Sequence, residues 1–213
     1  MHAPDSFTRR RALSAVAAVS AAGLAGCLGE QGGGDRVQSL PRPVRGDPDA
    51  AVTITTFEDF VCPHCQTFAT QVLPDLEADY IEKGTVRHEH YDFPIPVDDR
   101  WSWQVPSAAR AVQDTVGTEA FFEFVHLLFT EGWSNGRAQY SEDLLASLAE
   151  EVGATPDDVV AAATSNRYRP VVESDRETGT KRGVRGTPAV FVNGTFIEQP
   201  TFSNIEAAIE TSR

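Results

Sequence analysis

One stretch constrains this chain more than any other: Asp59-Phe60-Val61-Cys62-Pro63-His64-Cys65. Ahead of it, Val52-Thr53-Ile54-Thr55-Thr56-Phe57 is β-branched and aromatic and reads as a strand. Behind it, Phe68, Val72, Leu76 and Tyr80 recur every fourth residue, the apolar stripe of a helix that runs from Pro63 to about Lys83. The two cysteines therefore fall where a strand ends and a helix begins. A thiolate there faces unpaired backbone N–H groups and the positive end of the helix dipole. That field favours S⁻ over SH and makes Cys62 acidic and reactive. Cys65 follows one turn later on the same face, close enough to attack a disulfide formed at Cys62. Pro63 suits the first helical turn, where its missing N–H is not needed. His64 places an imidazole beside the sulfur, and its protonated form would further stabilise the thiolate. Together the four residues suggest thiol–disulfide exchange, which needs no cofactor beyond the sulfurs. Two other readings compete. Half of a zinc site is one, although structural zinc usually takes four Cys/His ligands and the chain has 3 cysteines in all. A structural disulfide is the other, although so short a ring constrains the unfolded chain little.

At 213 residues the chain can hold one domain with a full core and an inserted subdomain. Its 31 acidic residues outnumber its 18 basic ones, and only Lys83 and Lys181 are lysines. Such a surface repels nucleic acid and argues against phosphate binding. The acids are scattered, which reads as a solvated shell suited to high salt, where screening is strong; abundant acid with almost no lysine resembles proteins of extreme halophiles. An acidic surface for basic partners is the rival reading.

Thr8-Arg9-Arg10-Arg11-Ala12-Leu13 and the Ala-rich run to Gly26 form an export signal, too short for a membrane span. The twin arginines resemble a Tat signal, and Leu24-Ala25-Gly26-Cys27 resembles a lipobox, which makes Cys27 the candidate lipidated residue and places the domain outside the membrane on a lipid anchor. The alternative is an uncleaved anchor with a spare thiol. Either way the compartment permits disulfides. Residues 27–48, rich in Gly and Pro, read as a flexible linker with no regular element.

From 49 to 213 the pattern is α/β. Pro74 should kink the first helix and Gly84 end it. Thr85 to Phe93 reads as a second strand, parallel to the first. His88 and His90 share one of its faces, read as a polar edge facing solvent, with metal sharing as the alternative. Residues from about 96 to 182 look helical and form an insertion. One helix begins at Ser107 after Pro106. A second, Ala120 to Thr130, is heavily apolar and makes His126 a core histidine. Ser141 and Thr155 are N-cap candidates for the next two. Ala189–Val192 and Thr195–Ile197 read as strands joined by Asn193-Gly194, the type I′ hairpin pair. Ser203-Asn204-Ile205-Glu206 reads as a capping box opening the last helix. Pro188 marks a strand start or a cis turn.

Strand, Cys-Pro-His-Cys at a helix start, helical block, Gly186-Thr187-Pro188 before a β-hairpin and a final helix: from about residue 46 onward this order resembles the DsbA-like thiol:disulfide oxidoreductases of thioredoxin fold. The resemblance implies a central mixed sheet with flanking helices and an inserted all-helical subdomain. It implies that Cys62 is the exposed sulfur that substrates attack and Cys65 the buried resolving sulfur. His64 would stabilise the thiolate, and Thr187 with a cis Pro188 would pair with a substrate strand beside the dithiol. The partners implied are cysteine-containing exported proteins and a membrane oxidant or electron acceptor that recycles the dithiol; with no long heptad or exposed apolar stripe in the sequence, a monomer is expected. A reductase or isomerase of the same fold, or a dithiol module binding copper or zinc, are the alternatives. In one place the sequence departs from the pattern. Thioredoxin-like proteins often carry a buried acid six residues before the first cysteine. Here Thr56 stands in that place; Glu58 and Asp59 lie closer but are not expected to substitute, so proton transfer to and from Cys65 falls to water or another side chain.

Overall fold

The computed structural model describes residues 36–213. The twin-arginine segment and Cys27 lie outside the described residues. The strands are β1 (Val44–Arg45), β2 (Val52–Glu58), β3 (Val86–Asp92), β6 (Ala189–Val192) and β7 (Thr195–Ile197), joined in one mixed sheet of order β1-β3-β2-β6-β7. β2 and β3 are parallel, with Thr56 opposite His90 and Glu58 opposite Asp92. β6 runs antiparallel to β2 and continues into β7 through Asn193 and Gly194, both at positive φ as the primed turn requires.

Between β2 and β3 the chain forms α1 (Pro63–Gln71), α2 (Leu73–Leu76) and a π-helical turn, Glu77–Ile81. The single long helix of the sequence reading is broken at Val72 because Pro74 follows two residues later. Its apolar stripe still packs against the sheet: Phe68, Leu76 and Tyr80, with Leu73 buried where Val72 is only half-buried, cover one face of β2 together with Ile205 and Ile209 of α8 (Phe202–Ser212). The opposite face, Phe57, Tyr91, Phe93 and Phe191, is covered by α7 (Arg169–Lys181). Gly179 permits that approach, since a Cβ there would lie 2.6 Å from the Phe93 ring.

The block between β3 and α7 contains α3 (Trp101–Thr115), α4 (Thr118–Thr130), the small hairpin β4 (Trp133–Ser134) and β5 (Arg137–Ala138), α5 (Glu142–Glu151) and α6 (Pro156–Ser165). α3 begins six residues before Ser107 and carries Pro106 within it. Pro106 lies in the second turn, too far along to act as a start. Ser141 caps α5 through the Leu144 N–H, whereas the Thr155 side chain makes no cap bond. The last helix is capped by Thr201, two residues ahead of the expected box.

Part of the expected linker is structured. Leu40 and Val37 pack against the helical block, the Val37 N–H donates to the Arg167 carbonyl, and Val44–Arg45 pairs with β3. Its charged contacts explain why Pro and Gly did not leave it free. Arg42 reaches Asp175 and lies over the Tyr91 ring at 3.4 Å. Asp175 also receives Arg110, which is fully buried and bonded to Asp92 at 2.7 Å and Asp175 at 2.7 Å. Strap, sheet, α3 and α7 thus share one buried charge network. Removing one partner from such a network strands the other charges. Arg110→Leu should destabilise the fold by roughly 3–5 kcal/mol; urea unfolding that shows a loss below about 1 kcal/mol would count against the network.

Candidate active site

Cys62 is the N-cap of α1, with extended backbone (φ −83°, ψ 120°). Both cysteines are free thiols. The Cys62 N–H donates to the Asp59 carbonyl at 3.0 Å, which closes the turn from β2 into α1. The Asp59 carboxylate fastens the same turn: it accepts from Val61 N–H at 2.9 Å and from Ile95 N–H at 2.7 Å. The helical block grips the loop from the other side. Trp133 Nε1–H donates to the Phe60 carbonyl at 3.2 Å and Tyr140 O–H at 3.0 Å, while Phe60 stacks on Phe129.

Cys65 is fully buried, as expected, but Cys62 is only 3 % exposed rather than open to solvent. The turn carrying Pro188 covers it. The Thr187–Pro188 peptide is cis, and the Cys62 thiol donates to the Thr187 carbonyl at 3.3 Å. Pro63 and His64 are exposed beside it. His64, with Thr67, Glu198 and Gln199, lines an open groove of about 480 Å³ that Thr187 and Pro188 also line.

The two sulfurs are electrostatically unequal. Cys62 is lowered to about 5, first by a hydrogen bond from the Cys65 thiol and further by the backbone N–H groups of Cys65 and His64, against the cost of burial. The helix-terminus argument therefore holds, and the backbone N–H of His64 is among the groups that stabilise the sulfur. Cys65 is pushed well above an ordinary thiol by burial, and by the charges of Cys62 and Glu58.

The acid missing at position 56 is met two residues later. Thr56 and Glu58 lie on the same face of β2. Glu58 is buried, and desolvation raises it to about 8, with the Cys62 charge adding to the shift. Asp59 is raised to about 6, again by burial. Glu58 and Asp59 stand close to the cysteines in the sequence, but nothing in it shows the burial of Glu58, which depends on the helical block closing over β2. The histidines also differ from expectation. His88 and His90 are each 1 % exposed, so the reading of a solvent-facing edge fails. They pack against Phe122 and Phe121 of α4, His88 Nε2 lies 2.9 Å from the Thr56 hydroxyl, and His90 pairs with Asp92. His126, read as a core residue, is exposed.

A reduced thiolate near 5 has a defined consequence. Its folded value lies below that of an ordinary thiol, so the stabilisation of the reduced protein is complete at alkaline pH and is lost as pH falls through about 5. Ultraviolet thiolate absorbance of the reduced chain should titrate with a midpoint near 5, and alkylation of Cys62 should follow the same curve. A midpoint above about 8, the range of a free cysteine, would contradict the geometry.

A family model described as thioredoxin matches residues 38–211. Probable disulfide bond formation protein D of Bacillus cereus is 30% identical over 167 residues, covering 78% of this chain and 76% of that protein. Disulfide bond formation protein D of Bacillus subtilis is 26% identical over 184 residues, 84% of this chain and 82% of that one. The crystal structure of oxidised BdbD from Bacillus subtilis superposes with a TM-score of 0.74 at 25% identity, over 84% of this chain and 98% of that one. Chlamydia trachomatis DsbA shares the fold at a TM-score of 0.71, with 24% identity over 84% and 95% of the two chains. A dithiol split into an acidic and a buried sulfur, on this sheet and in this company, makes the chain a DsbA-like protein disulfide oxidoreductase of the thioredoxin family.

Proposed function

We propose that the chain works as an oxidase: it donates a Cys62–Cys65 disulfide to cysteine-containing proteins exported from the cell, and a membrane oxidant restores it. The observation that carries this reading is the inequality of the sulfurs. Stabilising the Cys62 thiolate stabilises the reduced form, which makes the disulfide oxidising; DsbA itself is the known example of this logic. A substrate thiolate attacks Cys62 and the Cys62–Cys65 bond breaks, with Cys65 leaving. Glu58, protonated at neutral pH because burial raises it to about 8, supplies the proton that the Cys65 sulfur takes up. A second substrate thiolate then attacks the substrate sulfur bonded to Cys62, and Cys62 departs as the stabilised thiolate. The Thr187–Pro188 backbone, 3.3 Å from the Cys62 sulfur through the Thr187 carbonyl, is placed to pair with the substrate strand.

The wider setting belongs to the same reading. The export signal and Cys27 put the domain on a lipid anchor at the outer face of the membrane, and no helix among the described residues is long and apolar enough to cross one. The acidic surface suits high salt and excludes nucleic acid as a partner, and the enzyme acts as a monomer.

Equilibration of the full chain with a glutathione series at high salt should give a reduction potential well above the roughly −270 mV of thioredoxin. A potential at or below that value would instead identify a reductase. Cys65→Ser should accumulate mixed disulfides with substrate under oxidising conditions, and Cys62→Ser should abolish exchange; a Cys65→Ser protein that traps no partner defeats the scheme.

A further inference from the structure

The groove beside the dithiol is built from two parts of the chain. α1 supplies His64 and Phe68, and the segment after β7 supplies Glu198, Gln199 and Pro200. That second segment is held at both ends. Ile197 pairs with Val190 of β6, two residues beyond Pro188, which sets Glu198 at the Pro188 end of β6. The Gln199 carbonyl accepts from the Thr201 N–H at 2.8 Å and from Asn204 Nδ2 at 2.9 Å, at the entry to α8. Glu198 is thus carried on fixed backbone, in the same groove as the Thr187–Pro188 peptide.

Its charge is uncompensated there. Glu198 and His64 are the titratable side chains of the groove, and the rest of the lining is neutral. Five other exposed acids, Asp79, Glu142, Glu173, Glu177 and Glu210, each hold an Arg or Lys, whereas Glu198 has no ion-pair partner among the described residues. Phe68, Val72 and Pro200 give the same groove an apolar part. A carboxylate beside apolar surface suits a long cationic side chain. Lys and Arg lay their carbon stems along apolar surface and keep the charged head in water, and a guanidinium meets a carboxylate with two parallel hydrogen bonds.

We infer that Glu198 is a specificity-determining residue: cysteines with an Arg or Lys beside them in the substrate chain are oxidised ahead of cysteines flanked by acidic residues. The inference rests on the oxidase reading above and on the docking of substrate at Thr187 and Pro188. Glu198 takes no part in the exchange itself. Two substrate thiols lose two electrons to the Cys62–Cys65 bond, which breaks as the substrate disulfide forms. Of the two thiol protons, one is kept at Cys65 and one is released, because Cys62 stays a thiolate. What Glu198 changes is how readily the substrate segment enters the groove.

Three dithiol peptides that differ only in the residue next to the first cysteine, Arg, Gln or Glu, test this against the oxidised full chain. Stopped flow gives the second-order rate constant for each. Dividing it by the rate of the same peptide with oxidised glutathione removes the effect of the neighbour on the peptide thiol. An exposed ion pair is worth little, so the Arg peptide should outrun the Gln peptide roughly two- to fivefold, with the Glu peptide last. The spread should narrow along a salt series in which circular dichroism shows the chain folded, because such a pair is screened. Glu198→Gln should remove most of the Arg preference, and Glu198→Arg should put the Glu peptide first. Glu151→Gln, at the exposed end of α5, removes the same charge far along the chain and should leave the ranking in place. Equal rates for the three peptides overturn the inference while the oxidase reading stands. So does a ranking that Glu151→Gln flattens as much as Glu198→Gln, since selection then belongs to the net charge of the surface. If the oxidised chain oxidises none of the peptides, the oxidase reading fails and the inference falls with it.

Discussion

The structure depends on a negative sulfur held against the N-terminus of α1. Backbone N–H groups at a helix start have no partners of their own, and here those of His64 and Cys65 are turned onto Cys62. The arrangement works only if the loop from Asp59 to Cys62 is fixed, since a sulfur displaced by an ångström loses the donors. Fixing comes from three directions: the Asp59 carboxylate on Val61 and Ile95, Trp133 and Tyr140 on the Phe60 carbonyl, and the turn at Pro188 over the thiol. One of the three, the pair Trp133 and Tyr140, originates in the helical block, which makes that block part of the thiolate's support and more than a lid beside it.

Holding the block to the sheet falls to buried charge. Arg110 lies between Asp92 and Asp175, and Arg42 of the N-terminal strap closes the set. Buried ion pairs seldom add net stability over apolar packing, yet breaking one is expensive. Such a network punishes any displacement of α3 or α7 relative to β3, and it suits a protein whose site is assembled from both sides.

Local chemistry was legible in the sequence: the β-branched strand, the cysteine pair at a helix start, the Asn-Gly hairpin and the turn at Pro188 each depend on residues close in the chain. What escaped depends on contacts between distant elements. His88 and His90 alternate with Arg87 and Glu89 as a half-exposed strand would, and only the packing of Phe121 and Phe122 from α4 buries them. Cys62 is covered by a turn 125 residues away. The strap reads as linker because its Pro and Gly content excludes long elements. It is docked by Arg42, Pro41 and Pro43, whose partners Asp175, Gln113 and His90 lie far along the chain.

The position of the buried acid shows how a fold tolerates such a change. Side chains on a strand alternate with period two, so moving a carboxyl from position 56 to position 58 keeps it on the same face of β2 and carries it one step nearer the cysteines. A shift of one residue would have sent it to the aromatic face under α7. The hydroxyl of Thr56, in the vacated place, then finds a use in fixing the ring of His88. A carboxyl brought nearer the sulfurs is also enclosed more deeply, and desolvation drives it to about 8. That value lets Glu58 stay protonated at neutral pH beside a thiolate, and burial is its first cause, with the charges of Cys62 and Asp92 adding to it.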